Sequence, residues 1–150
     1  MCGIFGVIRP AGLKDQDRRR FDSLSRTLKH RGPDGSGFIR EPHLLIGMHR
    51  LSIMDLENGN QPFSDEQDVF VAVVNGEIYN APELREELIA LGHKFSSRSD
   101  AEVVPHLVEQ WGLEGFKQLR GMFAIAVLDR HRGLVHLIRD RMGEKPLYIH

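Results

Sequence analysis

Cys2 is the only cysteine of this 150-residue chain, and it lies directly behind the initiator methionine. Initiator methionine is normally removed when a small residue follows, and the thiol and a free α-amine would then belong to one residue. An α-amine has a reference pKa of about 7.7 to 8.0 and a free thiol one of about 8.5, so the amine can accept the thiol proton near neutral pH. The sequence therefore predicts a nucleophile that carries its own general base.

Cys2 also has two competing interpretations. A lone cysteine is most often a small buried hydrophobic residue. A lipidated cysteine would need an apolar leader upstream, which the sequence lacks, and myristoylation requires glycine at position 2. The nucleophile is favoured because the apolar segment Ile4 to Ile8 predicts a strand that would hold Cys2 against a sheet.

The pair Asn75-Gly76 follows the apolar run Val69 to Val74. An Asn-Gly pair is first of all a turn signal, so one interpretation is a turn that ends the strand. The same two residues can also supply a side-chain amide N–H and a backbone N–H, which are the two donors that an oxyanion hole needs. The residues alone leave both interpretations open.

Three charged residues could bind a charged ligand. Arg50 lies in an otherwise apolar segment, where it is either an edge residue facing water or a guanidinium fork for an anion. Asp100 and Glu77 could each bind an ammonium group. Their more ordinary roles are helix capping for Asp100 and a solvated surface position for Glu77, and these alternatives stay open as well.

Composition argues against several classes of function. The chain has 20 Lys and Arg against 21 Asp and Glu, a formal charge of −1, so we expect neither a nucleic-acid partner nor membrane binding. Its apolar runs are far shorter than the roughly 18 residues of a membrane span. The eight histidines show no His-x-x-x-His spacing, so we expect no metal site. A single cysteine without a secretory signal favours a cytoplasmic protein.

Six short segments are rich in apolar residues and bounded by turn-forming residues, which is typical of β-strands. The fourth and fifth are joined by a short turn at His131 to Gly133, which predicts a hairpin. In chain order the six predicted strands are Ile4 to Ile8, Leu44 to Ile53, Val69 to Val74, Gly121 to Asp129, Leu134 to Arg139 and Pro146 to His150.

Helical spacing occurs three times between these strands, so the chain reads as one α+β or α/β unit. The first helix is predicted over residues 16–29 and gives way to a loop over residues 30–37. The second follows Pro82 and ends at Gly92. The third begins after Ser99, where Ser99 and Glu102 have the spacing of a capping box.

Seven motifs in a fixed order resemble the class II glutamine amidotransferases, a family of N-terminal-nucleophile hydrolases. Two stretches, NGEIYN at 75–80 and KPLY at 145–148, are most similar to the glutaminase domain of glutamine-hydrolysing asparagine synthetases. The seven motifs are MCGIFG at 1–6, HRGPD at 30–34, RLSI at 50–53, NGEIYN at 75–80, SDAE at 99–102, GMFA at 121–124 and RDR at 139–141.

The resemblance implies a reaction and the residues that carry it. Cys2 would attack the side-chain amide of glutamine with its own amine as base, and Asn75 and Gly76 would form the oxyanion hole. The products would be glutamate and ammonia, released through a cysteinyl thioester. Arg50 would bind the glutamine α-carboxylate, and Asp100 with Glu77 its α-ammonium. The substrate-binding residues implied are Arg50, Leu51, Ile53, Asn75, Gly76, Glu77 and Asp100.

The same resemblance implies an α+β fold, a four-layer αββα sandwich of the N-terminal-nucleophile hydrolase type, truncated at its C-terminal end. Residues 1–150 would be an incomplete glutaminase domain that needs no cofactor. A synthetase domain, absent from this chain, would use ATP and Mg²⁺ to activate aspartate and would pass the ammonia into asparagine. The expected partners are L-glutamine and that domain, and a homodimer is one assembly that the sequence allows.

Two other functions are compatible with the sequence. The chain could be a non-catalytic module that binds glutamine or a partner chain, or an amidotransferase that serves a different carboxylate acceptor. The presence of Cys2, Arg50, Asn75, Gly76 and Asp100 together favours catalysis over the binding module.

Overall fold

The computed structural model describes residues 2–150, so the predicted removal of Met1 falls outside the described residues. No helix in this part of the chain is long and apolar enough to cross a membrane.

Short 3₁₀ helices span Lys29–Arg31, Asp100–Glu102 and Gly112–Gln118. The strands are β1 (Gly3–Ile8), β2 (Gly35–Glu41), β3 (Leu44–Arg50), β4 (Phe63–Ser64), β5 (Phe70–Ile78), β6 (Gly121–Asp129) and β7 (Leu134–Arg139), and the helices are α1 (Asp15–Leu28), α2 (Ala81–Ala90) and α3 (Val103–Trp111).

The strands form two antiparallel sheets that pack against each other. The first has the order β1-β3-β2 and the second the order β4-β5-β6-β7. Side chains alternate along β5, since Val71 and Val73 face the other sheet while Ala72 and Val74 face the helices. The apolar layer between the sheets contains Ile39, Leu44, Ile46, Met48, Val71, Val73, Ala126 and Leu128.

Helices cover the outer face of each sheet. Phe21 of α1 packs with Phe5 and Leu45 on the first sheet. On the second sheet, α2 and α3 contribute Leu88 and Leu107 to the largest apolar cluster. The order of layers is therefore helix, sheet, sheet, helix, and the expected αββα sandwich is confirmed.

The predicted hairpin of Gly121 to Asp129 and Leu134 to Arg139 is confirmed, with the same bounds as β6 and β7. The strand predicted over Pro146 to His150 is wrong. A strand needs a partner, and these five residues pair with none in the described chain.

The turn predicted at Asn75-Gly76 is also wrong, because β5 continues through both residues to Ile78. Asn75 pairs with Ala124 and Gly76 with Phe123, so a nine-residue ladder with β6 overrides the local turn signal. Gly76 has φ +151°, and a Cβ at this position would collide with the Met122 carbonyl oxygen. Glycine is therefore required by close packing of two strands rather than by a turn.

The loop predicted over residues 30–37 is too long, since β2 begins at Gly35. Residues 35–37 pair with the end of β3, from Arg50 to Met48. A Cβ at Gly37 would collide with the Gln61 carbonyl oxygen. The glycines that indicated a loop thus lie in a strand, and Gly37 allows the backbone at Gln61 to approach that strand closely.

The capping box predicted for Ser99 and Glu102 forms only in part. The Ser99 hydroxyl accepts a hydrogen bond from the Ala101 amide at 3.3 Å and caps the 3₁₀ turn before α3. Glu102 points elsewhere: its buried carboxylate accepts four hydrogen bonds of 2.6–2.8 Å, from the amide and the hydroxyl of Ser96 and of Ser97. It therefore fixes the segment that leads to Asp100.

Glu102→Gln is expected to lower the free energy of unfolding by about 2–4 kcal/mol at pH 7, because charge-assisted hydrogen bonds become neutral ones. Burial opposes the charge, but the Ser97 and Ser96 donors lower the pKa of Glu102. The stabilisation is thus complete above the unfolded pKa of about 4.3 and is lost as pH falls through the folded pKa. Urea unfolding at pH 7 and pH 3 measures this, and the cost of the substitution should shrink at pH 3.

The matched control is Glu114→Gln, at a side chain that is 78% exposed. Its exposed pair with Lys117 should contribute less than about 1 kcal/mol at either pH. An equal loss of stability in both variants at pH 7 would contradict the role assigned to the Glu102 carboxylate.

Candidate active site

A cavity of about 80 Å³ lies where β1, β3 and β5 approach the 3₁₀ turn at Asp100. All eight residues predicted for the site line it, and they come from segments up to 98 positions apart along the chain. The sequence prediction missed the lining residues Met54, Gly59, Gln61, Ser99, Met122 and Lys145. The eight predicted residues are Cys2, Arg50, Leu51, Ile53, Asn75, Gly76, Glu77 and Asp100.

The Cys2 thiol is partly buried and held beside the end of β3. Pairing of Gly3 with His49 brings the start of β1 next to the residues that follow β3. The Leu51 amide donates to Sγ at 3.4 Å, and Sγ is 3.7 Å from the Leu51 carbonyl oxygen. These two contacts hold the sulfur beside the backbone at Leu51, where it lines the cavity.

Asn75 and Gly76 face the same cavity from β5. The Asn75 side chain is 4% exposed, and its Oδ1 atom has no hydrogen-bond partner within residues 2–150. Buried amides almost always have such partners, so this one is held by the strand rather than by its own polar contacts. Asn75 thus presents to the cavity a side-chain amide whose oxygen is unpartnered within the described residues.

Arg50 is buried, and the interpretation as an edge residue facing water is wrong. Its guanidinium donates to the carbonyl oxygens of Met54 and Asp55 at 2.8 and 2.6 Å and to Asn60 Oδ1 at 3.0 Å. These bonds fold residues 54–60 around the guanidinium. Arg50 therefore organises the loop beside the cavity in addition to lining it.

Asp100 lines the cavity from the 3₁₀ turn that precedes α3. Its Oδ2 accepts a hydrogen bond from the Ile78 amide at 2.8 Å, so the carboxylate is tied to the end of β5 and does not cap α3. Burial raises the pKa of Asp100, and the negative charge of Glu77 adds to this. A cation bound between Asp100 and Glu77 would offset both effects.

Among the missed residues, Gln61 has the clearest structural role. Its side-chain oxygen accepts from the Val74 amide at 2.6 Å, and its Nε2 donates to the Val74 carbonyl at 3.2 Å. Gln61 thereby extends the sheet at the residue before Asn75. Nothing local in the sequence points to this bridge. For Lys145, in contrast, the KPLY stretch at 145–148 is a sequence signal that could have predicted a place in the site.

A partly buried thiol directly before the first strand, packed against the apolar layer between two stacked antiparallel sheets, is typical of an N-terminal-nucleophile hydrolase architecture. The glutamine amidotransferase domain family matches residues 1–150. The chain therefore belongs to the glutamine amidotransferase domain family.

Curated relatives agree with this assignment. The chain is 40% identical over 150 residues to "Asparagine synthetase [glutamine-hydrolyzing] 3" of Bacillus subtilis, covering 99% of this chain and 24% of the relative. It is 42% identical over 149 residues to "Asparagine synthetase [glutamine-hydrolyzing]" of Asparagus officinalis, covering 99% of this chain and 25% of the relative. The chain thus spans about a quarter of the length of these relatives.

The fold is shared with glutamine phosphoribosylpyrophosphate amidotransferase from B. subtilis. That structure superposes with a TM-score of 0.64 at 21% sequence identity, covering 86% of this chain and 35% of the other. At this identity the likeness establishes the fold alone.

Proposed function

We propose that the domain hydrolyses the side-chain amide of L-glutamine to glutamate and ammonia. The observation that carries the proposal is the convergence of one thiol, one amide-bearing strand segment and four charged side chains on a single cavity. A binding module needs the charged groups, but it has no use for a thiol in the same cavity.

Each chemical step can be assigned to an atom of the site. The Cys2 sulfur attacks the amide carbon, and its proton passes to the α-amine that removal of Met1 would free. Asn75 Nδ2–H and the Gly76 amide N–H stabilise the oxyanion. When the C–N bond breaks, the ammonium donates its proton to the leaving nitrogen, and ammonia departs. Water then attacks the cysteinyl thioester, and glutamate and the free thiol are released.

Substrate binding uses charged residues that line the cavity. Asp100 and Glu77 would bind the α-ammonium, which relieves the unfavourable burial of the Asp100 charge. Arg50 would bind the α-carboxylate, either directly or through the loop that its guanidinium holds in place. Leu51 and Ile53 would contact the substrate from the backbone next to Arg50.

We further propose that this domain supplies ammonia to a synthetase domain that makes asparagine from aspartate with ATP and Mg²⁺. The support is the 40–42% identity to relatives whose printed names state glutamine hydrolysis and asparagine synthesis. A different carboxylate acceptor is the alternative. A cytoplasmic location and a homodimer remain predictions from the sequence.

The test compares L-glutamine with two analogues, one lacking the α-amino group and one lacking the α-carboxylate. Glutamate release from L-glutamine is expected, with kcat/KM for each analogue lower by at least about 100-fold because buried charges are left unpaired. Glutamine binding without glutamate release, measured calorimetrically on Met1-free protein, would instead support the binding module. Equal rates for all three substrates would contradict the assigned recognition of both charged groups.

A further inference from the structure

Outside the active-site cavity, four side chains from three segments converge at one point. Glu66 lies in the turn between β4 and β5, His93 follows α2, and His106 and Glu109 lie one helical turn apart on α3. One nitrogen or oxygen atom of each lies within 4.8 Å of those of the others. None of the four lines the active-site cavity, so glutamine hydrolysis does not account for them.

The separations within this cluster match the edges of a tetrahedral metal site. Glu66 Oε2 is 3.2 Å from His106 Nδ1 and 3.5 Å from His93 Nδ1, and Glu109 Oε2 is 3.4 Å from His93 Nδ1. With metal–ligand bonds of about 2.0–2.2 Å, a tetrahedron has edges of about 3.3–3.6 Å. Three of the six edges are therefore already close to the required length.

Neighbouring groups orient two of the ligands. The Lys94 amide donates to Glu66 Oε1 at 2.6 Å, which leaves Oε2 facing the centre of the cluster. His93 Nε2 is 3.1 Å from Gln110 Oε1, so the ring can donate there and present an unprotonated Nδ1 inward. Such outer hydrogen bonds fix the tautomer and orientation of metal-binding residues.

The charges of the cluster favour a cation. The His106 side chain is 2% exposed, and its Nδ1 atom faces Glu66 within the cluster. Glu109 Oε2 is buried without a hydrogen-bond partner within residues 2–150. A divalent cation would supply the partner that this oxygen lacks.

We propose that Glu66, His93, His106 and Glu109 bind one divalent cation of the Zn²⁺ class. Two imidazole nitrogens and two carboxylate oxygens in tetrahedral spacing suit Zn²⁺ better than Mg²⁺ or Ca²⁺, which take six or more oxygen ligands. The site is structural, since it links the turn after β4 and the end of α2 to α3. Helix α3 continues directly from the 3₁₀ turn that carries Asp100, so the cation would steady that side of the active site.

The test is a titration of tag-free, chelator-treated protein with Zn²⁺ by isothermal calorimetry, with Mg²⁺ as the comparison ion. One Zn²⁺ per chain is expected, and Mg²⁺ should not compete. His93→Gln and Glu109→Gln should each weaken Zn²⁺ binding by about 100-fold or more, since losing even an outer-shell partner typically costs 10–100-fold. The control His131→Gln, at an exposed histidine outside the cluster, should leave the affinity unchanged.

Glu109→Gln keeps the shape of the side chain, so its fold should persist, and far-ultraviolet circular dichroism checks this. Co²⁺ bound to the parent protein should give the intense visible bands of tetrahedral coordination, and Glu109→Gln should lose them. Absence of Zn²⁺ binding by the folded parent would overturn the proposal. Binding that is equally strong in the parent and in both cluster variants would overturn it too, because the ion would then lie elsewhere.

Discussion

Cys2→Ala should reduce glutamate release from L-glutamine by on the order of 10⁴-fold or more. The thiol is the only group in the cavity that can form the thioester, and loss of a covalent nucleophile leaves little beyond binding and oxyanion stabilisation. Because the side chain is small and only partly buried, the fold should be retained. The measurement is the steady-state rate of glutamate formation, with thermal unfolding of both proteins as the control.

A covalent label tests the same assignment without a substitution. A glutamine-mimicking diazo-ketone should add once per chain, at Cys2, in protein from which Met1 has been removed. In the form that retains Met1, the nitrogen of Cys2 is part of the peptide bond to Met1 and cannot act as a base. This form should therefore react far more slowly. Intact mass and peptide mapping measure both rates, and equal labelling of the two forms would show that the α-amine is not the base.

Much of the fold could be predicted from local patterns, because those patterns coincide with the contacts that form. The β6–β7 hairpin is the clearest case, since a short turn places two apolar runs next to each other, and they pair with each other in the structure. Asn75-Gly76 shows the opposite situation. Its turn signal is real, but pairing with β6, about 50 positions away along the chain, outweighs it.

The site residues also fall into two groups, those that local sequence patterns predict and those that only the folded chain brings together. Residues within contiguous motifs, such as Arg50 and Asp100, were identified, although the guanidinium contacts of Arg50 with residues 54–60 follow only from the folded loop. Gln61 was missed because its role arises from a backbone segment that approaches it in space. The cluster of Glu66, His93, His106 and Glu109 was missed because its ligands come from three segments, and only the His106-x-x-Glu109 spacing on α3 hinted at it.

Asn75→Ala should lower kcat for glutamine by on the order of 10²–10³-fold and change KM little. The Asn75 amide is assigned to an oxygen that becomes negative only in the transition state, so its loss affects turnover more than substrate binding.

Stability should be nearly unaffected by Asn75→Ala, because Asn75 Oδ1 has no hydrogen-bond partner in the described chain and truncation removes a buried unpaired atom. β5 should also persist, since its ladder with β6 is made by backbone groups that the substitution leaves in place. Urea unfolding therefore separates a catalytic role from a structural one. The matched control is Asn58→Ala, at an exposed asparagine that does not line the cavity, and it should retain the parent kcat. If Asn75→Ala keeps kcat within a few-fold of the parent while folded, the oxyanion is stabilised elsewhere; if it loses activity together with stability, Asn75 serves the strand rather than the reaction.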